Sequence, residues 1–215
     1  MENRLAIRTI ARHEGYGKHL LFFPSRKTHQ QVVCHSVLEA DYCVHLEYNP
    51  KVVNYCSHPG EIHLEVGGRR LRYQPDFQID TSEIRFYTEV KANFHEIPSR
   101  WTAKLQAAHE FLKARGSDLR LADLASIRPT ERLRNLKFLY FHSFNVGTDE
   151  FGICLRWLPT LKYPTTLRQL LTNSAGIRER AIYKATFDDL LDVDLDQRLS
   201  LDTPVLGGSH EHYKP

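Results

Sequence analysis

Two short runs narrow the possibilities for this chain more than any other feature: Tyr73-Gln74-Pro75-Asp76-Phe77, and Thr88-Glu89-Val90-Lys91 in the next β-rich segment. Residues two apart in a strand share a face, so Glu89 and Lys91 project together while Val90 points to the opposite side. If the strand carrying Asp76 pairs beside the strand carrying Glu89, two carboxylates converge on one ammonium. Such a cluster of hard oxygen donors suits Mg2+, with Mn2+ as a substitute. The expected ligands are Asp76, Glu89 and the Val90 carbonyl, joined by Glu39 from the preceding helix. Phosphodiester hydrolysis needs this combination, because a water must become nucleophilic at neutral pH and charge growing on the phosphate must be stabilised. Lys91 would orient that water or neutralise the phosphate, and would accept its proton if the site depressed the lysine pKa.

The surrounding pattern supplies a scaffold. Cys34, Val37, Leu38, Tyr42, His45 and Leu46 recur at three- and four-residue steps, predicting a helix over Val33 to Tyr48 that ends at Asn49-Pro50. Ser36-Val37-Leu38-Glu39 also fits a capping box, in which Glu39 returns a hydrogen bond to the Ser36 backbone; this role and a catalytic one are compatible. Strands are expected over Lys51 to Tyr55, Glu61 to Val66, Arg69 to Tyr73, Asp76 to Ile79 and Ile84 to Val90, with Gly67-Gly68 as a hairpin turn. Trp101, Leu105, Ala108, Phe111 and Leu112 mark a helix closed by Arg115-Gly116, and Leu119 to Ile127 reads as a further strand. The order is αβββαβ. A linking helix is expected after Pro129-Thr130.

Beyond Asn145-Val146-Gly147 the pattern changes to a smaller unit: an amphipathic stretch at Thr166 to Leu171, a turn at Asn173 to Gly176, a helix at Ile177 to Leu191, and alternating apolar residues from Val193 to Leu201. Two short helices followed by a hairpin suggest a winged-helix-like module. The expected division is residues 1–145 and 146–215. Residues 1–149 carry 21 Lys+Arg against 17 Asp+Glu and residues 150–215 carry 8 against 9, so the basic surplus belongs to the first part. Arg4, Arg8, Arg12, Lys18, Arg26 and Lys27 could form a phosphate-contacting arm or a solvated terminus. In the second part Arg178, Arg180 and Lys184 are followed by Asp188, Asp189, Asp192, Asp194 and Asp196, a distribution that favours docking of a protein over reading of DNA.

The four cysteines form no C-x-x-C pair and read as reduced thiols. His35, His45, His58 and His63 lie close in sequence but lack zinc-ligand spacing, so zinc is not expected. No apolar run approaches the roughly 20 residues of a membrane span, and the N-terminus lacks a secretory core, pointing to a cytoplasmic protein.

Several blocks together resemble a known family. They are Pro24-Ser25-Arg26-Lys27, Ser36 to Tyr42, Leu46-Glu47-Tyr48-Asn49-Pro50-Lys51-Val52, Arg70 to Phe77, and Thr88 to Lys91. Over residues 22–140, and more loosely from Leu190 to Leu206, the chain resembles the TnsA endonuclease subunit of heteromeric cut-and-paste transposases, within the PD-(D/E)xK nucleases. The resemblance implies an α/β, restriction-endonuclease-like αβββαβ core that nicks the 5′ strands at transposon ends in double-stranded DNA. It also implies a DDE transposase partner, TnsB, and an AAA+ regulator, TnsC, that contacts the C-terminal part. Glu39, Asp76, Glu89 and Lys91 match the family's catalytic positions. His58-Pro59 stands where the family usually has Gln-Pro. Two alternatives remain open: a stand-alone restriction or repair endonuclease of the same fold, and a non-catalytic adaptor bridging DNA and an ATPase.

Overall fold

The first described elements form a hairpin that includes Val33, where a helix start is expected. In the computed structural model, which describes residues 20–172 and 176–208, β1 (Leu21–Pro24) pairs antiparallel with β2 (Gln31–Cys34). Val32 and Cys34 are buried on alternating positions, a period of two that suits the β-branched Val32-Val33 pair. Helix α1 (Val37–Tyr48) starts only where Ser36 can cap it, its Oγ accepting the Glu39 N–H at 3.1 Å. Val37, counted in the expected apolar stripe, is exposed.

The turn between β1 and β2 absorbs two residues assigned above to a phosphate-contacting arm. The Arg26 guanidinium lies 4.6 Å from the centre of the Tyr140 ring and 4.8 Å from that of Phe187, and its Nη1 donates to Ser143 Oγ at 3.1 Å. Lys27 Nζ donates to the carbonyls of Asn49 and Val52. Both cations brace the protein body, and Arg4, Arg8, Arg12 and Lys18 lie outside the described residues.

Next come β3 (Val52–Ser57), β4 (Ile62–Val66), β5 (Arg69–Tyr73), β6 (Phe77–Thr81), β7 (Arg85–Lys91), α2 (Ser99–Lys113) and β8 (Leu119–Asp123). The central sheet has the order β3-β6-β7-β8. Its first two pairings are antiparallel and β7 pairs parallel with β8, the crossover being supplied by α2. β4 and β5 form a separate hairpin whose turn residues Gly67 and Gly68 have φ of 56° and 74°, as a tight two-residue turn requires. The fold is thus mixed α/β, with the expected helix-strand order around one mixed sheet.

Strand β7 divides the two faces. Phe86 and Val90 enter a core shared with α1 residues Cys43, Val44 and Leu46, and Tyr42 OH lies 3.2 Å from Thr88 Oγ1. Tyr87 packs on the other side with Leu64, Tyr73, Leu105, Ala108 and Leu112, the cluster formed by the hairpin and α2. Glu89 and Lys91 therefore face α2 and the hairpin.

β8 ends at Asp123, four residues earlier than expected, because Asp123 caps the short helix α3 (Leu124–Ile127): its Oδ1 accepts the Ser126 N–H at 2.9 Å. α3 is tied to α1 by His45, whose Nε2 lies 2.7 Å from the Ile127 carbonyl oxygen. Burial pushes the His45 pKa below its ordinary value, with the Ile127 contact opposing that shift. The fold thus favours neutral imidazole, while the unfolded chain takes up a proton near its ordinary pKa of about 6.5. His45 contributes its full stability above that value and loses it as pH falls toward the lower folded pKa. His45→Gln is expected to flatten this part of the pH profile in urea unfolding between pH 7.5 and 5.5; equal pH slopes in both proteins would contradict it.

Helices α4 (Thr130–His142), α5 (Thr148–Trp157), α6 (Leu167–Thr172) and α7 (Glu179–Phe187) follow, with a 3₁₀ turn at Leu158–Thr160 and two-residue strands β9 (Thr165–Thr166), β10 (Leu191–Asp192), β11 (Pro204–Val205) and β12 (Gly207–Gly208). α5 was not expected. α7 stops at Phe187 rather than Leu191 because Asp189 adopts φ 59° and the chain reverses. Residues 173–175 of the expected turn lie outside the described residues.

The hairpin anticipated over Val193 to Leu201 is absent; β9 pairs with β11 and β10 with β12. The reason lies in Asn135 of α4, whose Nδ2 donates to the carbonyls of Leu195 (2.9 Å) and Gln197 (2.7 Å) while its Oδ1 accepts the Leu199 N–H (3.2 Å). These backbone groups are satisfied by a side chain and need no strand partner. One buried cluster draws only on residues beyond 145, including Cys154, Leu170, Ile182 and Val205. Phe187 and Leu195 instead join the core around Tyr140 and α1. No helix among the described residues is long and apolar enough to cross a membrane.

Candidate active site

Asp76 sits immediately before β6, and its backbone carbonyl accepts the His58 N–H at 2.8 Å, extending the β3–β6 ladder by one step. The β6–β7 pairing ends at Phe77 opposite Thr88. Beyond that point the Asp76 side chain takes over from the strand backbone, Oδ2 accepting the Val90 N–H at 2.7 Å. A carboxylate is thus fixed at the end of the sheet beside β7.

Lys91 Nζ lies 2.8 Å from Glu89 Oε1 and 3.6 Å from Asp76 Oδ2, and donates to the Val90 carbonyl at 3.2 Å. The other Glu89 oxygen accepts a hydrogen bond from Tyr73 OH at 2.8 Å. Glu39 reaches the same region from the first turn of α1. Its Oε1 accepts from Ser36 Oγ at 3.0 Å and its Oε2 from the His35 N–H at 2.8 Å. The return bond of the expected capping box therefore goes to the Ser36 hydroxyl and the His35 backbone, not to the Ser36 backbone. Its helix-capping bonds leave Glu39 Oε2 facing the site, 3.6 Å from His58 Nε2.

All four predicted residues come together, divided into two subsets. One is the Glu89–Lys91 ion pair. The other is Glu39, His58 and Asp76, which offer donor atoms that all lie within 4.8 Å of one another. Ligand spacing gives no sign of His58, which the resemblance marks only as standing in place of a Gln, because it directly follows β3 and is brought in by strand pairing. His35 is brought in too, its ring stacked on His58 with centroids 3.7 Å apart.

The carboxylates of the site bear on one another electrostatically. Burial holds the Glu39 carboxyl above its ordinary pKa despite the His35 hydrogen bond, and the Asp76 charge pushes the same way. Burial also raises Glu89, again with Asp76 adding to the effect and Lys91 opposing it. For Lys91 burial works downward, but Asp76 and Glu89 outweigh it and the ammonium is held above its ordinary pKa. The depressed lysine pKa on which a proton-accepting role depended is therefore absent, and Lys91 is an ammonium at neutral pH. Glu39 and Asp76 with a His58 nitrogen could hold a divalent ion, which would offset the repulsion between the buried carboxylates. No protein-family model and no curated protein matches this chain.

Proposed function

We propose that the chain is a Mg2+-dependent DNA endonuclease with a restriction-endonuclease-like core, cutting the 5′ strands at transposon ends as one subunit of a heteromeric transposase. The observation that carries this reading is the convergence of Glu39, Asp76 and Glu89, from three different elements, on one end of a strand beside the Lys91 ammonium. The αβββαβ order around a β3-β6-β7-β8 sheet and the sequence blocks from Pro24 to Lys91 support it.

Asp76 and Glu39 would hold the ion, with Glu89 and the Val90 carbonyl completing the set on the β7 side. Bound there, a divalent ion supplies an acidified water and takes up charge on the phosphate. The chain's own groups do the rest. Asp76 is held by the Val90 N–H, so its oxygen cannot swing away. Lys91 keeps its proton on Nζ and presents it to a non-bridging phosphate oxygen, neutralising charge as the attack proceeds. Tyr73 OH donates a hydrogen bond to the Glu89 carboxylate and orients it. Tyr73→Phe keeps the buried ring and removes this one donor, so it is expected to slow single-turnover cleavage about tenfold and to cost about 1 kcal/mol of stability, on the scale of one hydrogen bond to a charged group. An unchanged rate would show that Glu89 needs no such support.

The C-terminal segment reads as a docking module for a protein partner such as TnsC. Two of its three candidate DNA-reading cations are already engaged, Arg178 with Glu150 and Lys184 with Asp188. TnsB and double-stranded transposon ends would be the other partners. The test is cleavage of an end-bearing duplex by the isolated chain and by the chain with its DDE transposase. The subunit reading expects little cutting alone and 5′-strand cuts with the partner. Vigorous cutting by the isolated chain would point to a stand-alone nuclease, and unchanged 5′ cuts by Asp76→Ala to an adaptor.

A further inference from the structure

We propose that His58 is a direct nitrogen ligand of the divalent ion, which makes this a mixed nitrogen–oxygen site that binds Mn2+-like transition ions more tightly than the Mg2+ that supports the reaction. The inference rests on the reading of Glu39 and Asp76 as ion ligands and adds a donor of a different chemical class. A ring nitrogen of His58, a Glu39 oxygen and an Asp76 oxygen lie within 4.8 Å of one another, near the spacing of neighbouring ligands around a single ion, and His58 Nε2 is 3.6 Å from Glu39 Oε2. Ligand atoms bound at about 2.1 Å stand roughly 3 to 4 Å apart, so a small inward shift closes the set.

The imidazole is also held in place before any ion arrives. Its backbone N–H donates to the Asp76 carbonyl at 2.8 Å, its own carbonyl accepts from Gln74 Nε2 at 3.0 Å, and the His35 ring lies against it at 3.7 Å, tilted by 29°. His58 adopts φ 49°, a left-handed conformation that costs a non-glycine residue energy and orients its ring next to the two carboxylates. With Glu39, Asp76, Glu89 and the Val90 carbonyl, His58 would bring the protein donors to five, leaving a six-coordinate ion one position for water or a phosphate oxygen. Mg2+ favours oxygen donors, whereas an imidazole nitrogen raises affinity for first-row transition ions.

The test adds Mn2+ to the metal-free full chain and records pulsed electron paramagnetic resonance, which detects a directly bound 14N, alongside calorimetric titrations with Mn2+ and with Mg2+. The variants are His58→Asn, which tolerates the left-handed backbone, His58→Gln as a second replacement, and Asp76→Asn to identify the site. We expect 14N coupling in the unaltered chain that disappears in both His58 variants while Mn2+ still binds. We also expect a preference for Mn2+ over Mg2+ of roughly tenfold or more that collapses toward equality in those variants. Asp76-dependent Mn2+ binding without 14N coupling would overturn the proposal, as would 14N coupling that survives in both His58 variants. Nitrogen coupling in a chain that cleaves no DNA even with the DDE transposase present would keep His58 as a ligand and remove the nuclease reading; Mg2+-driven cleavage without nitrogen coupling would do the reverse.

Discussion

Asp76→Ala is expected to lower the single-turnover rate of 5′-strand cleavage by at least about 10³-fold, the scale on which loss of a central charged group in a catalytic constellation is felt. Asp76 joins more of the site than any other residue. Its carboxylate accepts the Val90 N–H at 2.7 Å, lies 3.6 Å from Lys91 Nζ, and contributes to the donor set with Glu39 and His58. Alanine removes charge and acceptor together, so Asp76→Asn is the informative control: its amide oxygen can still accept from Val90 and preserve the strand end. Equal loss of rate in both variants, with Asp76→Asn melting like the unaltered protein, would assign the effect to charge. A rate within tenfold of normal in either variant would count against the site.

The largest effect on stability is expected far from the chemistry, at Glu47. Glu47 is only 5% exposed, on the face of α1 that also buries Cys43, Val44 and Leu46. Its carboxylate accepts from Ser25 Oγ at 2.5 Å, from Tyr55 OH at 2.8 Å and from the Arg26 N–H at 3.2 Å, joining the β1–β2 turn, α1 and β3. Glu47→Ala leaves these donors without their acceptor in a space water enters with difficulty. The expected cost is about 3–5 kcal/mol, or a melting temperature lower by roughly 10 °C. Tyr55→Phe, which removes one donor and keeps the acceptor, should cost about 1 kcal/mol. Thermal and urea melts of both variants check the ordering; a Glu47→Ala protein within 1 kcal/mol of the original would contradict it.

The elements that position the site were legible where one local rule decided them. Gly67-Gly68 marked its hairpin, the alternation at Glu89, Val90 and Lys91 set the faces of β7, and Ser36 with Glu39 marked the true start of α1. Expectations failed where a distant group decided the outcome. Val32-Val33 is a strand because β1 lies beside it, and the 193–201 segment is not a hairpin because Asn135, some sixty residues away in sequence, takes up its backbone. His58 was marked only by the family resemblance, at the place of a Gln, and its part in the site was left open for the same reason: strand pairing places it opposite Asp76, and no ligand spacing along the chain encodes that.

Whether this constellation cleaves DNA is tested most directly by strand scission of a transposon-end duplex, with the partner transposase present, in Mg2+, in Mn2+ and in chelator, for the unaltered chain and for Glu89→Gln and Lys91→Ala. The account predicts 5′-strand cuts that leave 3′-hydroxyl and 5′-phosphate ends, that vanish in chelator and that are nearly lost in both variants. Cuts of undiminished rate in chelator, or in Glu89→Gln and Lys91→Ala, would contradict it.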